Sequence, residues 1–237
     1  GKSSSITAGD VLSPLTIESI KATATSTTSK GISILGASKG ATTIITITEN
    51  LGIEIADLVN LNAKEIIILS TPIIEVVGEA SAKSSGFVAL GAISTDVIFS
   101  LNNKITFVDN TKMLATGDLS IQALSDIWIK ADGSGGASGA FPSEYIRNTV
   151  NITNATTSIS FANKNEIEAP GTLKVNAETN LVTSVKAVIE GSHGFIANNN
   201  HAHATATVNV SNTINLGTNG LYRAANIYVF ADIKTLD

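Results

Sequence analysis

The 237-residue chain combines 43% apolar residues with only 7 Phe, 3 Tyr and 1 Trp, and its 15% charged fraction lies well below the usual quarter. That balance excludes an aromatic-rich globular core and predicts an all-β fold whose interior is built from small aliphatic and β-branched residues. A net charge of −5, from 15 basic and 20 acidic residues, offers no basic stripe for a phosphate backbone, so nucleic acid is not an expected partner. The absence of cysteine removes disulfides, zinc–thiolate sites and thiol nucleophiles together, and it fits a secreted or cell-surface location. No apolar run approaches the roughly 18 residues needed to span a bilayer, so membrane insertion is not expected. The chain opens on Gly1-Lys2-Ser3 rather than Met, which implies that any export signal is removed or lies upstream.

In chain order, Thr42 to Thr48 is a β-branched run that favours a strand. Ile53-Glu54-Ile55 is the first copy of an element that returns as Ile105-Thr106-Phe107 and Ile159-Ser160-Phe161. The stretch Ala115 to Ala123, "ATGDLSIQA", recurs as "APGTLKVNA" at Ala169 to Ala177 and "RAANIYVFA" at Arg223 to Ala231, at intervals of 54 residues. A third landmark joins a glycine to an apolar residue at Gly31-Ile32, Gly86-Phe87, Gly139-Ala140 and Gly194-Phe195. Landmarks that keep step over the whole chain identify a repeat, with units at approximately 1–30, 31–85, 86–138, 139–193 and 194–237.

Within a unit, Leu119, Ile121 and Ala123 alternate with polar residues, as do Leu173, Val175 and Ala177. This period of two marks half-buried strands. Asn102-Asn103, Asp109-Asn110, Asn163-Lys164-Asn165 and Asn219-Gly220 read as corners. The four prolines are expected in or beside turns, leaving the strands free to pair. Together these features predict a parallel β-helix, or β-solenoid, of ~54-residue repeats. A unit of 54 exceeds the roughly 20 to 29 residues of a common solenoid coil. It is therefore expected to hold two or three coils, making nine to twelve in all and a rod on the order of 50 Å long at ~4.8 Å per rung. A β-sandwich is the architectural alternative, and the 54-residue period argues against it.

The Ala/Ser/Gly stretch, the Gly-hydrophobic step, the Thr/Asn-rich strand and then "ATGDLSIQA" resemble the repeats of large exoproteins of the filamentous haemagglutinin type. These are exported by two-partner secretion and include leukotoxin-like giant adhesins. The resemblance covers roughly Ile32 to Leu236 and implies a right-handed parallel β-helix acting as a stiff stalk or fibre segment of a surface adhesin. Ala63-Lys64-Glu65-Ile66 departs from the Gly-Asp-Leu core of the motif. Expected partners are the protein itself, through flanking coils or head-to-tail contacts, and glycans or proteins on a host or neighbouring cell. Because the chain starts and finishes inside a coil, either it continues in a longer protein or neighbouring copies complete its ends. A filament subunit joined by strand donation, and a β-helix polysaccharide-acting enzyme or tailspike-like protein, are the alternatives.

Candidate sites are few. Asp132-Gly133-Ser134-Gly135-Gly136 lacks the closing acid of a calcium loop and reads as a flexible insertion. It leads to Phe141, Tyr145 and Arg147, the expected partner contacts. His201 and His203 share one strand face, a weak metal-binding spacing without an evident third ligand, and Ser192-His193 reads as a turn. Asn151, Asn154 and Asn209 begin glycosylation sequons. No nucleophile elbow, triad order or acidic cluster appears, so neither catalysis nor a cofactor is expected.

Overall fold

Alternation of inward and outward side chains governs the fold. The computed structural model describes residues 4–13, 15–191 and 193–235, so Gly1-Lys2-Ser3, Pro14 and the Ser192 half of the expected Ser192-His193 turn lie outside it. Every strand pairing among the described residues is parallel, and partners lie 52 to 56 residues apart throughout a 12-stranded sheet. The all-β, parallel solenoid reading therefore holds, and the sandwich alternative falls.

One expectation is overturned: a repeat is a single coil, not two or three. Ile53 pairs with Ile105 and Ile105 with Ile159, while Leu119 pairs with Leu173 and Leu173 with Ile227. The chain thus stacks four coils and the start of a fifth, and the expected rod of nine to twelve coils becomes a flat blade. At ~4.8 Å per rung and ~3.3 Å per residue, the blade is roughly 20 Å tall and its long walls roughly 65 Å.

Each coil has an outgoing wall, a return wall and a short base. In the third coil these are Leu119–Gly139, Phe141–Phe161 and the segment around Ile167 within Glu166–Ile189. In the second, the single assigned strand Glu65–Phe107 supplies both walls, folding back near Gly86, and Lys112–Ala115 supplies the base. The walls face one another across the interior: a methyl added at Gly78 would meet Thr95 Cγ2 at 2.8 Å and Val97 Cγ2 at 3.2 Å.

Side-chain size falls from base to apex. Nearest the base, Ile66, Ile68, Ile105, Phe107, Met113, Ile159 and Phe161 form one core, with Phe107 and Phe161 stacked at 4.5 Å between ring centroids. Further out, Ile74, Val76, Val97, Phe99, Leu101, Ile129 and Ile152 form a second. Nearer the apex the core shrinks to Ala41, Ala80, Ala82, Ile93 and Ile146. At the apex itself only glycine fits: a methyl at Gly139 would collide with the Gly86 carbonyl.

A polar zipper separates the two larger cores. Ser70 Oγ donates to Asn103 Oδ1 (2.6 Å), and Asn103 Nδ2 donates to Ser125 Oγ (3.0 Å). The chain continues through Ser125–Thr157 (2.7 Å), Thr157–Thr179 (2.8 Å) and Thr179–Asn212 (2.8 Å), crossing from wall to wall as it climbs the stack. Buried polar groups are tolerated because nearly every one is partnered by the next. Asn102-Asn103 is accordingly a strand segment, not a corner; Asn103 is fully buried as a link of this zipper. Pro72 also departs from expectation, sitting mid-wall where the pairing with the next coil is interrupted between Ser70 and Ile73.

The remaining predicted corners stand where expected. Leu58, Asn110, Lys164 and Asn219 take positive φ at the turn from return wall to base. Their side-chain neighbours lock one coil to the next, with Asp109 Oδ1 accepting from Asn163 N (2.7 Å) and Asn165 Oδ1 from Thr111 N (2.8 Å). The glycine run 132–136 is a second correction. It is strand, paired on one side with 79–83 and, up to Gly135, on the other with 186–189, because residues without side chains are what the narrowing interior accommodates.

Candidate ligand-binding face

Phe141, Tyr145 and Arg147 do not stand on a loop that leaves the blade. They lie on the return wall just past the apex, and all three side chains point outward. Alternation dictates this, since Pro142, Glu144, Ile146 and Asn148 take the buried positions between them. Parallel register then carries the next coil over the same spots: His201 sits over Tyr145 and His203 over Arg147. Residues some 56 apart in sequence thus form a square of four outward side chains.

The Tyr145 and His203 rings lie 5.9 Å apart by centroid, across the diagonal of the square. His201 and His203 run side by side at 6.4 Å with 9° between planes, and His201 Nε2 donates to Asn199 Oδ1 at 3.0 Å. Two parallel imidazoles at that separation do not converge on a common point at the ~2.0–2.1 Å a bound transition metal requires. Among the described residues no group of three His, Cys, Asp or Glu assembles around them or elsewhere. On the apex side of the square, Phe87 packs edge-on to Phe141 at 5.6 Å, and Phe195 follows one coil later at 79% exposure. The coil below contributes Ala92 and Ser94, small residues that leave the larger side chains standing proud.

Several cations pair with acids one coil away, Lys21 with Glu75 (2.7 Å), Lys112 with Glu166 (2.8 Å) and Lys234 with Glu178 (2.7 Å), whereas Lys39, Lys104, Lys164, Lys174 and Lys186 have no such pair among the described residues. Of the two arginines, Arg223 lies 3.3 Å from Glu168, whereas among the described residues Arg147 has no acid in ion-pairing range. Asp96, one coil down, accepts instead from Ser94 Oγ at 3.0 Å.

Behind the face lies an acid the sequence reading passed over. Glu144 is fully buried between Gly91 and Gly135, and neither carboxylate oxygen has a hydrogen-bond partner among the described residues. Desolvation pushes its pKa up to about 7. Asn148 Oδ1 and Ser84 Oγ nearby, and Asn200 Oδ1 directly above, are likewise buried without partners. Parity could have revealed Glu144, because it falls in step with Ile146, Asn148 and Val150.

The sequon asparagines gather at a bulge on the same wall, where Thr153 and Asn154 together oppose one residue of the neighbouring coils. Asn154 is exposed and its Oδ1 accepts from Thr156 Oγ1 at 2.9 Å; Asn209 is exposed and donates to the Thr153 carbonyl at 3.1 Å; Asn151 is half-buried within the strand. Compared with family models, curated proteins and solved structures, the chain finds no match.

Proposed function

We propose that this chain is a structural and adhesive segment of an extracellular protein, a stiff stalk or fibre element displayed on a cell surface, and that it is not an enzyme. One observation carries the reading: a single parallel register runs through every coil, so stability accumulates coil by coil. Acids that line a hollow on the outgoing wall, Glu79, Asp132 and Glu190, are held in ion pairs with Lys130 and Lys83, which supports a structural role for them. Cysteine-free, lightly charged composition supports the external location. The outward rings and cation around Tyr145 supply the adhesive element, addressed to glycans or proteins of an opposing surface.

Immunogold labelling and adhesion assays on source cells, with and without the gene, test this. Gold on intact cells together with reduced attachment of the deletion strain is expected. Label confined to the cell interior would overturn the reading.

A second reading, assembly into filaments by strand donation, draws on the uppermost strands Asn199–Asn215 and Leu221–Thr235, which are paired on one side only among the described residues. Particles that lengthen with concentration in electron micrographs would favour it. Blades of constant height would exclude it.

A further inference from the structure

Resting on the adhesive reading above, we infer that Tyr145, Arg147, His201 and His203 form one binding site for an acidic polysaccharide, a chain of sugars carrying carboxylates, and that the site holds its ligand more tightly in mild acid.

The argument begins with Arg147. A guanidinium presents a rigid fork of donors that matches a carboxylate two bonds at a time. Among the described residues Arg147 is left without an acid, while Arg223, the other arginine, has Glu168 at 3.3 Å. A cation exposed on the face of a net-negative chain, flanked by residues that do not neutralise it, is a vacancy for an anion supplied from outside.

Sugar, rather than an acidic peptide, is favoured by the rings. Tyr145 stands 47% exposed beside the arginine, and Phe141 lies two outward positions toward the apex on the same face, itself 39% exposed and packed against Phe87. Exposed rings spaced along a flat sheet face offer platforms for the apolar faces of successive sugars, while the cation next to Tyr145 takes a carboxylate. The two imidazoles complete the site one coil above, over Tyr145 and Arg147. As they take up protons the face gains positive charge where the carboxylates dock.

The surroundings do not cancel that gain. From the coil below, Tyr145 and Arg147 face the imidazoles on the outer surface, while Glu144 points into the interior. Asp96, a further coil down, accepts from Ser94. Across the interior the inward residues of the opposite wall are Thr179, Leu181, Thr183, Val185, Ala187 and Ile189, none of which titrates.

The test is surface plasmon resonance of the purified full chain on immobilised polygalacturonate, neutral dextran and polyglutamate, between about pH 8 and about pH 5. Binding to polygalacturonate that strengthens toward acid, with none to dextran, is expected. Arg147→Ala should weaken it about tenfold, and in a Glu144→Gln background, which removes the buried carboxyl that also titrates in this range, the double substitution His201→Ala, His203→Ala should flatten the pH dependence while leaving alkaline binding in place. Tyr145→Ala should weaken binding to polygalacturonate, and Arg223→Ala should change nothing; circular dichroism of each variant confirms its fold. Equal losses in Arg223→Ala and Arg147→Ala, polyglutamate binding as tight as polygalacturonate, or no binding at the acid end by a folded chain would each overturn the proposal. Because the assay uses purified chain, its failure is separable from that of the surface location, which is read on cells.

Discussion

The base and the apex of the blade are built from the same repeat and obey opposite rules. At the base, large side chains stack in register, the corners take positive φ and are closed by Asp and Asn side chains, and Lys112 finds Glu166 one coil away. Toward the apex the interior narrows to alanine and glycine, the Glu144 carboxylate, Asn148 Oδ1 and Ser84 Oγ lack partners among the described residues, and aromatic rings turn outward beside an arginine that has no acid among them. A sequence can hold so many local violations only where something else fixes the structure. Here the base and the zipper fix it. The difference teaches that a wide, well-partnered end lets the narrow end of the same repeat depart from local rules.

The comparison breaks first at Phe107. Truncation to alanine removes a fully buried ring from the stack with Phe161 and should cost about 3–5 kcal/mol in urea denaturation; a loss below about 1 kcal/mol would mean that the base does not dominate stability.

Glu144 probes the apex. Its pKa is pushed from the ordinary 4.5 up to about 7, so the folded chain holds a proton that the unfolded chain has released between those values. Stability from this group is therefore greatest below pH 4.5 and falls as pH rises to 7, by about 3 kcal/mol in all. Glu144→Gln should remove that slope from a series of unfolding curves. Identical pH profiles for the two proteins would show that the carboxyl finds a partner.

The zipper is the hinge of the comparison. Ser125→Ala removes one bond each from Asn103 Nδ2 and Thr157 Oγ1, which keep the Leu124 carbonyl and Thr179 Oγ1, and should cost about 1 kcal/mol. Hydrogen exchange should then quicken on the apex side more than at the base.

The smallest effect is expected at Lys112. Its ion pair with Glu166 is about a third exposed on both sides, so Lys112→Ala should shift stability by less than about 1 kcal/mol, and less still in high salt.

How much of this was legible in the sequence differs along the same axis. The base announces itself, because Ile53, Ile105 and Ile159, or Leu119 and Leu173, must repeat their chemistry to stack on their own copies. Coil length is not legible, because a unit of 54 residues exceeds common coils and nothing in local periodicity says whether a long strand turns a corner or runs on. Composition alone reads the glycine run at 132–136 as a flexible insertion, yet a narrowing interior demands small residues just as strongly as a turn does. Asn103 was read as a corner for the same reason, since an amide that bonds its own backbone and one that bonds a facing wall look alike in one dimension. The square of Tyr145, Arg147, His201 and His203 was present as separate fragments, and only the register between coils could assemble it.

A coil of some 54 residues that advances the stack by one rung has a mechanical consequence. Pulled along its axis, the blade yields not by stretching but by peeling, and each detached coil releases roughly 180 Å of extended chain in exchange for the ~4.8 Å it occupied. Under load such a blade is a ratcheted extender: rigid until one coil's ladder gives way, it then lengthens by far more than its own height while the coils beneath hold.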